Sequence, residues 1–215
     1  MKLAELSERS GVSTATIKYY LRESLLPPGH RVSATQAEYD EAHLRRLRLV
    51  RALIQVGRVP VATAREVLAA VEDESLDQHH RLGAATWALP QSPRAEEEDA
   101  VTTAARRQVD ALLERLGWRH AREYGDLSPA YRTLVRAVAA LSRLVYPCDT
   151  DHLMPYAGLA GPLAAHDLDV IQEYATSGEQ VEAAVALTVL YEPVLLSLRR
   201  LAHTEESERR FGPRM

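Results

Sequence analysis

Residues 12–28, Val-Ser-Thr-Ala-Thr-Ile-Lys-Tyr-Tyr-Leu-Arg-Glu-Ser-Leu-Leu-Pro-Pro, constrain the fold more than any other stretch of this chain. Ser13 is a natural N-cap, because its hydroxyl can accept from an N–H two or three residues on. Ile17, Tyr20 and Leu21 then recur at helical spacing and face inward. Thr14, Thr16, Lys18, Tyr19 and Arg22 are left mainly on the outer side. Pro27-Pro28-Gly29 stops the helix. Just upstream, Lys2 to Ser10 make another short helix, and Gly11 separates the two. Leu3, Leu6, Val12 and Ile17 can share a small core. A helix, a tight Gly turn and a second helix with a polar face make the helix-turn-helix signature, whose second helix can enter the DNA major groove.

The rest of the first 71 residues repeats that plan. Residues 30–39 are polar and irregular, a candidate wing. Asp40 caps a helix expected over about 41–56, with Leu44, Leu47, Val50 and Ile54 as its apolar steps. Gly57 ends it, and Val61 to Val71 form one more helix. Charge divides at the same place. Residues 1–71 hold 11 Lys/Arg against 7 Asp/Glu, and the remainder holds 15 against 23. A basic amino-terminal part beside an acidic body suits a DNA reader carrying a separate sensing or dimerising unit. Uneven solvated faces would look the same, so charge alone does not decide.

Hydrophobic content of 46% with only 6% aromatic residues, and little Val/Ile/Thr alternation, predicts an all-helical protein. Residues 72–92 read as a linker with room for one short helix. Ser92-Pro93 starts a helix to about Leu116, stopped by Gly117, and Ser128-Pro129 starts another to about Tyr146. Asp151 caps a third, interrupted at Gly161-Pro162 and resumed to about Ala175. A last helix covers 179–203. It has no charge between Glu182 and Glu192 and none from Pro193 to Leu198, so it belongs at a bundle centre, in a subunit interface, or in both, with a bend at Pro193. Its longest apolar run, within 183–191, is too short to span a bilayer. A single cysteine, Cys148, and the lack of a secretory pattern before the first helix point to a soluble protein of the cytoplasm, without a membrane partner.

Leu3-Ala-Glu-Leu-Ser-Glu-Arg-Ser-Gly-Val-Ser-Thr-Ala-Thr-Ile-Lys-Tyr-Tyr, then Leu25-Leu26-Pro27-Pro28, then Tyr39-Asp40 and the Arg-rich helix, resembles the mercury-resistance regulator (MerR) family of winged-helix transcription factors. The resemblance covers about a third of the chain. It implies a homodimer that reads an inverted repeat in double-stranded promoter DNA. Such proteins often bend and untwist that DNA, and so act on RNA polymerase indirectly. Matched residue by residue, Ser13, Thr14, Thr16, Lys18 and Tyr19 fall on the recognition helix and Arg22 near its end, while Arg31 begins the wing and Tyr39 closes it. Thr14, Thr16 and Lys18 would face base edges or phosphates, with Tyr19, Arg22 and Arg31 on the backbone. Of Arg45, Arg46 and Arg48 on the next helix, one is expected at a phosphate, and Arg45 is taken as that residue. The wing departs from the family's Asn-Gly-Tyr-Arg, reading Ala34-Thr35-Gln36-Ala37, which moves the burden of binding towards residues 13–22. The carboxy-terminal text is similar to the terminal helices of tetracycline-repressor-like (TetR) sensing domains.

Other chemistry has little support in the sequence. Cys148 and His152 could put two ligands on one helical turn, but one thiol cannot supply a metal-sensing set, and His79-His80 reads as surface, so neither metal nor cofactor is expected. No nucleophile elbow, phosphate loop, HExxH or dinucleotide fingerprint is present, and the carboxylate runs look solvated, so no enzyme is expected. Trp118, Tyr131, Tyr146, Tyr156, Tyr174 and Tyr191 lie in core or interface, or line a pocket for a small apolar or aromatic effector. The expected architecture is all-α: a winged helix-turn-helix domain at 1–71, a linker at 72–92, a helical bundle for sensing and dimerisation at 93–203, and a flexible tail at 204–215. The expected function is a dimeric, ligand-responsive transcriptional regulator. A ligand-independent architectural DNA-binding protein and a protein-interaction adaptor with weakened DNA affinity remain as alternatives.

Overall fold

The computed structural model describes residues 1–33, 36–89 and 99–212, and the chain forms two compact units, Met1–Leu89 with Ile171–Met215, and Pro90–Val170. Ala34 and Thr35 of the wing, Ser92-Pro93 and the Glu96–Glu98 run lie outside the described residues.

In the first unit α1 (Leu3–Ser10) ends at Gly11, whose φ of 65° places it in the left-handed region that glycine tolerates best. Helix α2 (Thr14–Arg22) follows, with the Ser13 hydroxyl accepting from the Thr16 N–H at 3.1 Å. Strands β1 (His30–Arg31) and β2 (Ala37–Glu38) pair antiparallel, His30 opposite Glu38 and Arg31 opposite Ala37, and form the wing. Gly29 lets the chain pass close to it, since a Cβ there would sit 2.7 Å from the Glu38 carbonyl oxygen. Asp40 caps α3 (Glu41–Arg51), accepting from the His43 N–H at 3.1 Å. The single helix expected over 41–56 is α3 plus a wider π-helical turn, Ala52–Val56, before Gly57. Helix α4 (Val61–Glu72) completes the module. Its core gathers Leu6, Ile17, Tyr20, Leu25, Leu26, Leu44, Leu47, Val50, Leu53 and Val67, so the inward residues of every helix meet in one place.

Two further helices join this core. The stretch expected as a linker with room for one short helix carries α5 (Gln78–Trp87), capped by Asp77 and burying Ala85 in the core. The last helix, α10 (Ser177–Phe211), places Val181, Val185 and Val189 in the same core. Their four-residue spacing keeps all three on one face. At Gly57 the approach is close, because a Cβ there would lie 2.5 Å from Val189 Cγ1. The front of α10 therefore belongs with the amino-terminal module rather than with the second unit. From Tyr191 onward the same helix is exposed, including Val194, Leu195, Leu196, Leu198 and Leu201. The apolar text interrupted by Glu192 continues as Pro193–Leu198. Among the described residues α10 is thus the one helix long and apolar enough, by length and composition, to cross a membrane.

In the second unit α6 (Ala100–Leu116) starts at Asp99 and packs on α8 (Pro129–Arg143) through Ala105, Val109 and Leu113 against Tyr131, Val135, Val138 and Ala139. Gly117, with φ 70°, ends α6, and short α7 (Arg119–Tyr124) connects onward. Helix α9 (Thr150–Gln172) runs on through Gly161-Pro162 where an interruption was expected. Pro155 and Pro162 are seven residues apart, so the two missing N–H donors fall on one side of the helix. That weakens one edge of the helix without breaking it.

Candidate nucleic-acid interface

On α2, Thr14, Lys18 and Arg22 stand at four-residue spacing with Ala15 and Tyr19 beside them, and all five are exposed. The stripe exists because Ile17 and Tyr20 are drawn into the core from the opposite face. The Arg22 guanidinium lies 6.0 Å from the centre of the Tyr19 ring, so a cation and an aromatic plane form one surface at the end of the helix. Ser13 and Thr16 are placed differently. Their hydroxyl oxygens are 2.8 Å apart, and Ser13 also caps the helix, which commits both to its first turn. A Ser13→Ala variant is therefore expected to destabilise the unit by about 1 kcal/mol, read as a lower urea midpoint at unchanged slope.

Arg31 is exposed on β1, beside the equally exposed His30. Tyr39 is not exposed. Its ring packs edge-on to His43 at 5.2 Å and its N–H donates to the Met1 carbonyl at 2.8 Å, so it anchors the wing from below. The neighbouring Asp40 carboxyl is held far below the usual carboxylate range, chiefly by hydrogen bonds from the His43 side chain and backbone. Arg45 points to α10, its guanidinium 3.3 Å from Glu179. Arg46 is buried and paired with Glu72, while Arg48 is exposed.

Two arginines that sequence reading did not single out hold the motif in shape. Arg51 donates to the Ser10 carbonyl at 2.8 Å, at the turn between α1 and α2. Arg65 on α4 donates to the carbonyl and carboxylate of Glu23, at 2.8 and 2.7 Å, and so fixes the end of α2. Arg9 forks onto Glu41 at 2.6 and 3.0 Å, tying α1 to the start of α3.

The six aromatic residues expected around an effector are divided. Tyr174 and Tyr191 belong to the first unit; Trp118, Tyr131, Tyr146 and Tyr156 belong to the second. Tyr131 is buried between α6 and α8 and donates to Asp110 at 2.7 Å; burial and that carboxylate push its phenol up to about 12. Trp118 lines a cavity of about 250 Å3 with Leu113, Arg119 and Arg122. Tyr146 and Tyr156 are exposed. Cys148 is buried, its thiol 3.7 Å from Gln108, and His152 sits 2.9 Å from Asp149. No group of three His, Cys, Asp or Glu side chains among the described residues could hold a metal ion.

Comparison with known proteins bears on the same module. Residues 1–71 match the model of the MerR HTH family regulatory protein. The chain is 38% identical over 50 residues to the HTH-type transcriptional regulator ZntR homolog of Haemophilus influenzae, an alignment over 23% of this chain and 37% of that protein. It thus spans little more than a third of that relative's length. Over 100% of both chains it is similar to the crystal structure of SCO5550 from Streptomyces coelicolor A3(2), a protein provisionally designated a transcriptional regulator, with 59% identity and a TM-score of 0.86. A polar stripe on a capped second helix, a two-stranded wing and these similarities converge, and residues 1–71 belong to the MerR family of helix-turn-helix transcriptional regulators.

Proposed function

We propose that the protein binds promoter DNA as a homodimer joined through the exposed half of α10, in the cytoplasm, and that the Pro90–Val170 unit answers a small apolar or aromatic effector. RNA polymerase is then affected indirectly, through the shape of the bound promoter. The observation that carries the reading is the exposed part of α10. From half-buried Leu187 the exposed Tyr191, Val194, Leu198 and Leu201 follow at spacings of four, three, four and three, the apolar seam of a two-helix coiled coil. A helix this apolar gains little from standing in water, and a second copy supplies an equally apolar partner. Each copy would bring the α2 stripe and Arg31 to one half-site, with Thr14 facing base edges and Lys18, Tyr19, Arg22 and Arg31 on phosphates. Trp118, Tyr146 and Tyr156 are aromatic surface on the effector-facing unit.

A retardation assay on the region upstream of the protein's own gene tests this, with mass measured by sedimentation equilibrium. Six phosphate contacts, from Lys18, Arg22 and Arg31 in two copies, give an expected slope of log affinity against log salt of about −5. A monomer in sedimentation, or binding indifferent to salt, would overturn the proposal.

A further inference from the structure

Helix α10 is seated on the DNA-binding unit by more than its valines. On α3 the adjacent residues Arg45 and Arg46 face the α10 corner that carries Glu179 and Glu182, one turn apart, with Arg45 in contact with Glu179 and Glu182 within electrostatic reach of both arginines. Arg45 reaches Glu179 at 3.3 Å. Arg46 is buried and bonded through one terminal nitrogen to Glu72 of α4, while its other terminal nitrogen, Nη1, is buried and makes no hydrogen bond among the described residues. A guanidinium stays charged at any ordinary pH, so a buried one without enough acceptors is costly. The half-buried Glu182 carboxylate on α10 feels the Arg46 charge. Burial pushes the Glu182 carboxyl up; Arg46 and then Arg45 pull it down, and Glu179 and Glu72 push it up again. Five charged groups from α3, α4 and α10 thus share one corner of the seat.

We infer that Arg45 and Arg46 with Glu179 and Glu182 form a two-by-two charge clamp, which seats α10 on α3 and sets the angle at which its exposed half leaves the DNA-binding unit. The inference rests on the dimer proposed above. In such a dimer that angle fixes the separation of the two α2 helices, which must match half-sites about one helical turn of DNA apart, roughly 34 Å. Arg45 and Glu179 are then positioning residues. Arg45 acts through α10 and not by touching a phosphate.

A charge exchange in the full-length protein decides between the two roles of Arg45. Arg45→Glu and Glu179→Arg are each expected to weaken binding to the protein's own promoter region by about tenfold, and the Arg45→Glu, Glu179→Arg double variant to return to within about threefold of wild type. A phosphate contact cannot be rescued in this way, because the double variant still carries Glu at position 45. The clamp is also read without DNA, as amide hydrogen exchange over residues 177–189, which should speed up in each single variant and slow again in the double. A double variant as weak as Arg45→Glu, or a Glu179→Arg variant that binds DNA as wild type does, would overturn the inference. Rescued exchange in a protein whose wild type binds no DNA would support the clamp and overturn the function proposed above.

Discussion

Replacing Lys18 and Arg22 together by alanine is expected to weaken binding to the protein's own promoter region by about 100-fold or more near 0.1 M salt. The two side chains stand one helical turn apart on the exposed stripe of α2, and Tyr19 lies between them with the Arg22 guanidinium over its ring. A dimer carries each cation twice, so four contacts are lost and the salt slope should flatten by about 3 to 4 units. Neither residue belongs to the core formed by Ile17, Tyr20 and Leu25, and alanine favours helix, so the unfolding midpoint should hardly move. Loss of affinity without loss of stability is therefore the informative pair of results. Undiminished binding would remove Lys18 and Arg22 from the interface.

A Leu198→Glu, Leu201→Glu variant is expected to sediment as a monomer and to bind the same DNA at least about 100-fold more weakly, since a lone copy loses the second half-site. Leu198 and Leu201 are 59% and 63% exposed, so the isolated chain should tolerate the change. In a paired α10 the substitutions would instead bury four carboxylates in an apolar seam, far beyond what helix pairing supplies. A variant that remains dimeric would move the interface off α10, and would do so without touching the assignment of the α2 stripe.

The amino-terminal module was readable because its signals are local. Gly11 takes a left-handed backbone at the turn, Ser13 caps the helix it precedes, and Asp40 caps the next. Each signal acts within about four residues, so a linear text displays it. Arg51 on Ser10 and Arg65 on Glu23 are separated by about forty residues, and nothing in their surroundings marks them. The fate of α10 was hidden for a related reason. Val181, Val185 and Val189 announce a buried face without naming the surface that buries it, and that surface proved to be α5 and the π-helical turn rather than a separate bundle. Helix α5 was legible only as a short helix within a linker, because a text of His, Gly and Thr favours helix weakly, and its place in the core was not legible. In the same way the cation at Arg45 could be seen in the sequence but its direction could not. Only the packing of α10 showed that it faces Glu179. The aromatic candidates illustrate the limit most clearly: residue type suggested one pocket, and the chain distributes the six over two units.

Helix α10 carries a buried stripe, Val181 to Val189, and an exposed one, Tyr191 to Leu201, on one uninterrupted backbone. Each residue of an α-helix advances the azimuth by about 100°, so the two stripes are geared to each other by the number of residues between them. One residue added near 190 would turn the exposed seam by about 100°, whereas seven would return it to within about 20° of its starting phase. Among chains built on this plan, side chains of α10 outside its two stripes and the Glu179–Glu182 corner are free to drift. In the proposed dimer the length of α10 between the two stripes can change only in steps close to a heptad, because each such step would preserve the orientation of one DNA-reading face relative to the other.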